Sequence, residues 1–324
     1  MTRSLHLPES LKDLLHSSQT DAIELACLDC GYQVQSYPGA KLPLGKLKLN
    51  SNDMILLTPE ILCEAHDEGG YEPNNQTVLV TIEREHPILK NRDNLLDKLN
   101  CIMAAQNPGL MRGVLASILE FHVAKRVRGL SSRLIQVHKS SLQKTIVKHS
   151  SDRGQIQEEI TRFFSDKISE NKERLVTGTK NYGKNMGDVV DEFLMNAIWD
   201  ANPNREFLDR TMATSLEDDE IIDVEYIFDG TNLALSVSDG HGTFPEEAKL
   251  KPIKAALGFK EEAQVNEGPG GAGLGLYMIL QKVAALSFEI KRGKLTRATA
   301  VIRGDQSMRD MQKKPRSLLF FFVD

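Results

Sequence analysis

The feature that most constrains the fold of this chain is a glycine-rich run over residues 268–278, written GPGGAGLGLYM. Glycine backbone can approach phosphate oxygens closely, and the residues from Leu274 onward have the apolar spacing of a helix. A glycine loop that leads into a helix favours anion binding, because the first helical N–H groups have no partner within the helix. The run therefore predicts a nucleotide-binding chain.

Two glycine patterns overlap in this run. Gly268, Gly270 and Gly273 fit the dinucleotide pattern G-x-G-x-x-G, whereas Gly271, Gly273 and Gly275 fit G-x-G-x-G. The dinucleotide pattern requires a buried strand directly before it, but the preceding segment KEEAQVNE is polar. No G-x-x-x-x-G-K-[ST] phosphate loop occurs in the chain. A hydride-transferring enzyme therefore remains an alternative only through the literal pattern.

Length and composition are typical of a soluble globular protein. The chain has 324 residues, enough for about two domains, and 40% of them are hydrophobic and 26% charged. A net charge of -5 argues against nucleic acid as a general partner. The N-terminus has no signal-peptide core, and the longest apolar runs are too short to span a bilayer. We expect a cytoplasmic protein without membrane contact.

Cysteine usage gives no sign of a disulfide scaffold or of a metal site. The chain has only four cysteines. Cys27 and Cys30 form a C-x-x-C pair, but no second pair completes a zinc ligand set. We therefore interpret them as small apolar residues and expect no zinc.

The first third of the chain predicts a small α/β domain over residues 1–122. Its short apolar runs are typical of buried parallel strands, and they are MILL (54–57), VLVTI (78–82) and CIMA (101–104). Together with a closing helix through residues 114–121, they resemble a response-regulator receiver domain. Thr58 stands where receivers carry the phosphoacceptor aspartate, and Asn107 replaces the usual lysine. The resemblance implies a degenerate receiver that serves as an interaction module.

Residues 123–140 form a basic connector. No acidic residue occurs between Glu120 and Asp152, while seven lysines and arginines do. The alternatives are an anionic partner, a solvated helix face, or a dimerising helix within residues 110–140 that includes Leu130 and Leu134. Because no aromatic residues alternate with the charges, a solvated face is favoured over nucleic-acid binding. A homodimer through this helix stays open.

A helix predicted over residues 186–201 carries one polar ridge. Glu192, Asn196 and Asp200 recur every four residues on an otherwise apolar helix. Carboxylate and amide oxygens suit a magnesium ion that keeps several waters and binds nucleotide phosphates. The plain alternative is the exposed face of an ordinary amphipathic helix.

A hairpin predicted over residues 220–228 and 233–237 ends in the sequence SDGHG. Asp239 is thereby placed at a strand end, where a carboxylate could accept a hydrogen bond from an adenine amino group. Taken alone, an aspartate–glycine pair predicts only a turn.

Other patterns complete the second half of the chain. They predict a strand at 142–147, a helix from about Asp152, a hairpin after 287–291, a loop over 303–316 and a strand at 317–323.

The order of these motifs resembles the GHKL superfamily, the ATP-binding fold of gyrase and histidine kinases, over residues 141–324. DEFLMNAIWDA matches its N box, SDGHG its aspartate–glycine box, and GGAGLGLYM its glycine-rich box. The resemblance implies an α+β two-layer sandwich with ATP and Mg²⁺ as cofactors. It implies that Glu192 polarises a nucleophile, Asn196 ligates magnesium and Asp239 reads adenine. The other nucleotide-binding residues that it implies are Asp200, Gly242, Gly271, Gly273, Leu274, Gly275, Leu276 and Thr296.

The histidines decide the branch of the superfamily. His122, His138 and His149 are not followed by an acidic residue, as the phosphoacceptor of histidine kinases is. The layout looks instead like the anti-sigma-factor serine kinases. Two departures stand out, because Trp199 replaces a phosphate-binding lysine and Gly242 is displaced by one position.

This resemblance implies a bacterial signalling protein that acts on or through a protein partner of the sigma or anti-sigma type. Its activity would be that of a serine/threonine kinase or a weak ATPase. The alternative is a non-catalytic, ATP-dependent conformational switch or pseudokinase scaffold.

Overall fold

The protein has a mixed α/β fold built on one large mixed sheet. The computed structural model describes residues 3–37, 49–126, 129–131, 134–135, 141–171, 173, 175, 181–203, 210, 212–259 and 272–323. The strands are β1 (Arg3–Pro8), β2 (Tyr32–Tyr37), β3 (Met54–Leu57), β4 (Thr77–Thr81), β5 (Cys101–Ala104), β6 (Gln143–Val147), β7 (Ile222–Phe228), β8 (Asn232–Asp239), β9 (Ala285–Lys291), β10 (Leu295–Arg303) and β11 (Ser317–Val323).

The helices flank this sheet. They are α1 (Glu9–Leu14), α2 (Ser17–Cys30), α3 (Pro59–Gly69), α4 (Asp93–Leu96), α5 (Pro108–Ala124), α6 (Asp152–Glu170), α7 (Tyr182–Met195), α8 (Leu250–Ala256), α9 (Ala272–Lys282) and α10 (Met308–Lys313). Within the described residues, none of them is long and apolar enough to cross a lipid bilayer.

Parallel strands make up the N-terminal part of the sheet. They lie in the order β2-β1-β3-β4-β5, a common order of doubly wound α/β structures. The strands predicted at 54–57 and 101–104 are confirmed, and the one predicted at 78–82 is β4, shifted by one residue. Thr58 and Asn107 cap the helices that follow β3 and β5, because their side-chain oxygens accept the N–H groups of Ile61 and Leu110.

The C-terminal part of the sheet is mostly antiparallel. Strands β9, β10, β8, β7 and β6 follow one another with antiparallel pairing. Helices α6 and α7 pack against each other and against this part of the sheet, with Phe164, Val189 and Phe193 in the core. The helix from Asp152 is confirmed, and the strand predicted at 142–147 is β6, which begins one residue later. The hairpin predicted over 220–228 and 233–237 is formed by β7 and β8, whose bounds differ by one or two residues. The helix predicted over 186–201 begins four residues earlier, and its regular α-helical part ends at Met195.

The helix expected to continue through residues 110–140 is shorter than predicted. Helix α5 ends at Ala124, where Lys125 takes a left-handed conformation with φ 48°. Leu130 and Leu134 are buried in the core of the same chain, beside strands of the C-terminal half. These two side chains are therefore not on a free helical face, and a homodimer stays a prediction.

The last strand joins the two parts of the sheet. Strand β11 pairs antiparallel with β5 on one side and parallel with β9 on the other. The segment 303–316, predicted as a loop, contains helix α10, whose N-terminus is capped by the Ser307 side chain. That prediction was wrong because a helix of six residues is too short to show an apolar period.

Candidate functional site

A cavity of about 430 Å³ lies between the C-terminal end of α7, helix α8, the start of α9 and the sheet. Its volume is in the usual range of small-molecule sites. Residues from distant parts of the sequence meet on its wall. The predicted site residues that line it are Asn196, Asp200, Asp239, Leu276 and Thr296.

The end of α7 changes its helical geometry at the cavity. Residues Asn196–Asp200 form a wider π turn, in which the Ala201 N–H donates to the Asn196 carbonyl at 2.7 Å. Such turns are rare and frequently occur at functional sites. The apolar side of α7 is buried in the core, so Asn196 and Asp200 are held at the cavity wall.

Glu192 lies one helical turn earlier, directly against α9. A Cβ atom built on Gly275 would lie 1.6 Å from the Glu192 Oε1 atom, so only glycine allows this approach. Burial raises the pKa of Glu192, and the Asp191 and Asp200 carboxylates raise it further. A carboxylate with a raised pKa is better suited to act as a base near neutral pH.

Two arginines offset the negative charge around Glu192. Arg153 pairs with Asp191 at 2.7 Å, and Arg210 forms an ion pair with Asp200. Burial raises the pKa of Asp200, while the Arg210 guanidinium opposes this. The pKa of Glu192 therefore depends on the charge of Asp200 beside it.

Asp239 lies at the end of β8, paired across the sheet with Thr296 of β10. Its side chain is 5% exposed, and burial raises its pKa. The backbone N–H groups of His241, Gly242 and Thr296 oppose this rise, and the first donates to Oδ1 at 2.9 Å. The Thr296 hydroxyl is buried and has no hydrogen-bond partner among the described residues.

Gly242 supports the loop that follows Asp239 but does not line the cavity. It has φ 62°, and a Cβ atom there would lie 2.1 Å from the Lys291 carbonyl oxygen. The Gly293 N–H also donates to the Gly242 carbonyl at 3.2 Å. Gly242 thus allows this loop to pack closely on the β9–β10 turn.

The predicted glycine loop is described only in its helical part. Gly271 lies outside the described residues. Gly273 and Leu274 belong to α9, but their side-chain surroundings lie outside the described part of the chain. Helix α9 begins at Ala272, which agrees with the helix expected after the run.

Much of the cavity wall was not predicted from sequence. Phe193, Val237, Phe244, Phe288 and Ala298 give it an apolar surface. The rings of Phe244 and Phe288 stack with centroids 5.2 Å apart. Sequence patterns did not identify these residues as part of a site, because which apolar residues border a cavity depends on tertiary packing.

Several polar wall residues were also missed. They are Thr243, Glu247, Lys251 and Tyr277. Thr243 directly follows the SDGHG motif, and Tyr277 lies two residues after the last glycine of the glycine-rich run, so proximity to these glycines and to SDGHG was the only available signal.

In the described part of the chain, protein side chains alone give no metal site. Among the described residues, no cluster of three or more His, Cys, Asp or Glu side chains could hold a metal ion. A magnesium ion at Asn196 would therefore need phosphate oxygens and water as further ligands, which is its common mode in nucleotide sites.

Comparison with protein-family models and with curated proteins finds no match for this chain. The residues of the cavity themselves indicate what it can bind. It offers a buried carboxyl and hydroxyl in one region, apolar walls, and carboxylate and amide oxygens at the end of α7.

Proposed function

We propose that the cavity binds ATP with Mg²⁺, and that the protein is a signalling protein of the GHKL ATPase type. One observation carries this proposal. Asn196, Asp239, Leu276 and Thr296 were selected from separate sequence segments, and they line the same cavity. A chance set of exposed turn and helix residues would not be expected to converge in this way.

The region around Asp239 fits an adenine base. Apolar walls that include Val237 and Phe288 can cover the faces of a flat ring. The Asp239 carboxylate can accept a hydrogen bond from the exocyclic amino group. The Thr296 hydroxyl, which has no described partner, can bond to a ring nitrogen or to water.

The region around α7 fits a magnesium-bound phosphate chain. Asn196 supplies a neutral amide oxygen and Asp200 a carboxylate at the end of α7, and Glu247, just before α8, adds a second carboxylate to the cavity wall. A polyphosphate would be repelled by these carboxylates unless a divalent cation lay between them. Lys251 adds a positive charge at the same wall.

The kinase form of the proposal assigns the base to Glu192. Its half-buried carboxylate with a raised pKa could take the proton of a serine or threonine hydroxyl on a protein partner. The partner would be a signalling regulator of the sigma or anti-sigma type.

The switch form is favoured by a different observation. Helices α8 and α9, which line the cavity, also contact the parallel-sheet half of the chain. Nucleotide binding could then shift that half between conformations without phosphate transfer. The strand order of the parallel-sheet half supports a degenerate receiver-like interaction module. The proposal places the protein in the bacterial cytoplasm.

Calorimetry with Mg-ATP tests nucleotide binding. Asp239→Ala should weaken binding by roughly 10- to 100-fold, since a hydrogen bond to a charged group contributes about 1.5–3 kcal/mol. Asp223→Ala is the matched control, because Asp223 is an exposed residue of the neighbouring strand β7. If neither ATP nor ADP binds while NAD does, the proposal is wrong and the dinucleotide alternative is supported.

The magnesium assignment has its own test. Asn196→Ala should remove the magnesium dependence of ATP affinity, whereas Asn185→Ala, on the same helix, should retain it. An unchanged magnesium dependence in Asn196→Ala would rule out Asn196 as a ligand.

Phosphate transfer separates the kinase from the switch. With labelled ATP and a co-purified partner, transfer should occur in the wild type and in the exposed control Glu158→Ala, and be lost in Glu192→Ala. Tight ATP binding without transfer in the wild type would favour the switch.

A further inference from the structure

The loop that follows β4 contacts the C-terminal end of α9 and the residue just after α8. The Arg84 guanidinium donates to the Gln281 Oε1 atom, near the C-terminal end of α9, at 3.2 Å. It also donates to the Lys314 carbonyl at 3.5 Å. On the other side, a Cβ atom at Gly258, just after α8, would lie 2.8 Å from the Glu85 Cγ atom.

Tyr277 connects these contacts to the cavity. It lies four residues before Gln281, so both side chains are on the same face of α9. Tyr277 lines the nucleotide cavity, and it also lines a separate groove together with Arg84, Gln281 and Lys313. Burial lowers the pKa of Arg84, and the Tyr277 phenol opposes this, as expected for groups that lie close together.

Helix α8 is held by the same half of the chain. The Lys254 ammonium group bonds to the Asp93 carboxylate of α4 at 2.7 Å. The same helix contributes Lys251, Pro252 and Ala255 to the cavity wall. Helices α8 and α9, two of the three helices that border the cavity, are thus fixed to residues of the parallel-sheet half.

We propose that Arg84 is a positioning residue for the nucleotide cavity. By holding Gln281, it fixes α9 so that Leu276 and Tyr277 form the cavity wall and Gly275 stays against Glu192. The parallel-sheet half thereby sets nucleotide affinity although none of its described residues lines the cavity. By thermodynamic linkage, bound nucleotide strengthens the contact between Arg84 and α9 to the same degree. This inference rests on the proposed function.

A double-mutant cycle on Mg-ATP affinity tests it in the full chain. Arg84→Ala and Gln281→Ala should each weaken binding roughly 5-fold or more, within the usual range of coupling between sites. The double variant should bind Mg-ATP with about the affinity of whichever single variant binds less tightly, because both changes remove the same contact. Arg84→Lys keeps one donor and should restore part of the affinity. The matched control is Arg112→Ala, whose arginine pairs with Asp29 away from the cavity.

Hydrogen exchange gives a readout that does not depend on affinity. Without nucleotide, the amides of α9 should exchange faster in Arg84→Ala than in the wild type, and Arg112→Ala should match the wild type. If the wild type and Arg84→Ala bind Mg-ATP equally well, this inference is wrong, while the proposed function is unaffected. Additive losses in the double variant would overturn it too, while a wild type that binds no ATP overturns the proposed function and this inference with it.

Discussion

At the scale of single residues, the ionised carboxylate of Asp239 lowers the free energy of unfolding. Its buried carboxyl has a raised pKa, so the folded state binds protons more tightly there than the unfolded chain does. Between the ordinary aspartate value of 3.8 and the raised value, the free energy of unfolding therefore falls as pH rises. A group that reduces stability when ionised is typical of a binding or catalytic site.

This predicts a pH-dependent gain in stability for Asp239→Asn. The variant lacks the titrating carboxyl, so its advantage over the wild type should increase as pH rises above 3.8 and become constant above the raised pKa. Urea unfolding at a series of pH values measures this difference. Asp223→Asn, at an exposed position, should follow the wild-type curve. Parallel curves for the wild type and Asp239→Asn at every pH would contradict the prediction.

Gly275 is required by the position of Glu192. We expect Gly275→Ala to cost about 1–3 kcal/mol in the free energy of unfolding, because the new methyl group overlaps the Glu192 carboxyl. In a Glu192→Ala background the same change should cost less, since the overlapping atoms are gone. Gly154→Ala, a helical glycine with nothing within 4 Å, should instead gain about 0.5–1 kcal/mol. Equal costs of Gly275→Ala in both backgrounds would show that the clash is relieved elsewhere.

At the scale of elements, the loop after β8 depends on the neighbouring hairpin. Gly242 and Gly230 both have positive φ, so alanine at either should cost about 1–2 kcal/mol. Only Gly242→Ala adds a clash, with the Lys291 carbonyl oxygen, so it should be clearly more destabilising in urea unfolding. It should also weaken ATP binding, because this loop donates N–H groups to Asp239. Similar effects of the two variants on stability and affinity would show that packing of the Gly242 loop against the β9–β10 hairpin does not matter for either.

The elements also show what sequence patterns could and could not predict. Helix α7 and strands β7 and β8 were predictable because they are long and strongly periodic. Strand β1 was not predicted, because its alternation of polar and apolar residues covers only residues 4–7 and does not reveal that Ser4 and His6 are buried as well. In the fold, His6 bonds to Tyr37 and lies 3.6 Å from Asp53, so polar partners allow its burial. Burial of a polar side chain through such partners is decided by tertiary structure, so the period of the sequence does not predict it.

In the candidate site too, local motifs could be predicted from sequence, whereas features set by tertiary structure could not. Residues in local motifs, such as Asn196, Asp239 and Leu276, could be predicted because the order of motifs along the chain identified them. Phe244 and Phe288 could not, because their role depends on two distant segments meeting. Arg84 is the extreme case, since it affects the cavity only through its contact with α9.

At the scale of the whole molecule, one strand serves two cores. In β11, Phe320 and Phe321 point to opposite faces of the sheet. Phe320 stacks on Phe288 of the cavity wall at 5.3 Å between centroids. Phe321 contacts Phe121 of α5 at 4.5 Å. Adjacent residues therefore report separately on the cores at the two faces of the sheet, each of which contains residues from both halves of the chain.

This arrangement predicts different effects for two chemically identical substitutions. Phe320→Leu and Phe321→Leu should both destabilise the fold, each by less than the about 3–5 kcal/mol expected for truncation of a buried phenylalanine to alanine. Only Phe320→Leu should weaken Mg-ATP binding, because it loosens the aromatic stack behind the cavity. Calorimetry and urea unfolding on both variants measure the two effects independently. An equal loss of affinity would mean that the cavity responds to the stability of the whole sheet, and that the two cores act as one cooperative unit.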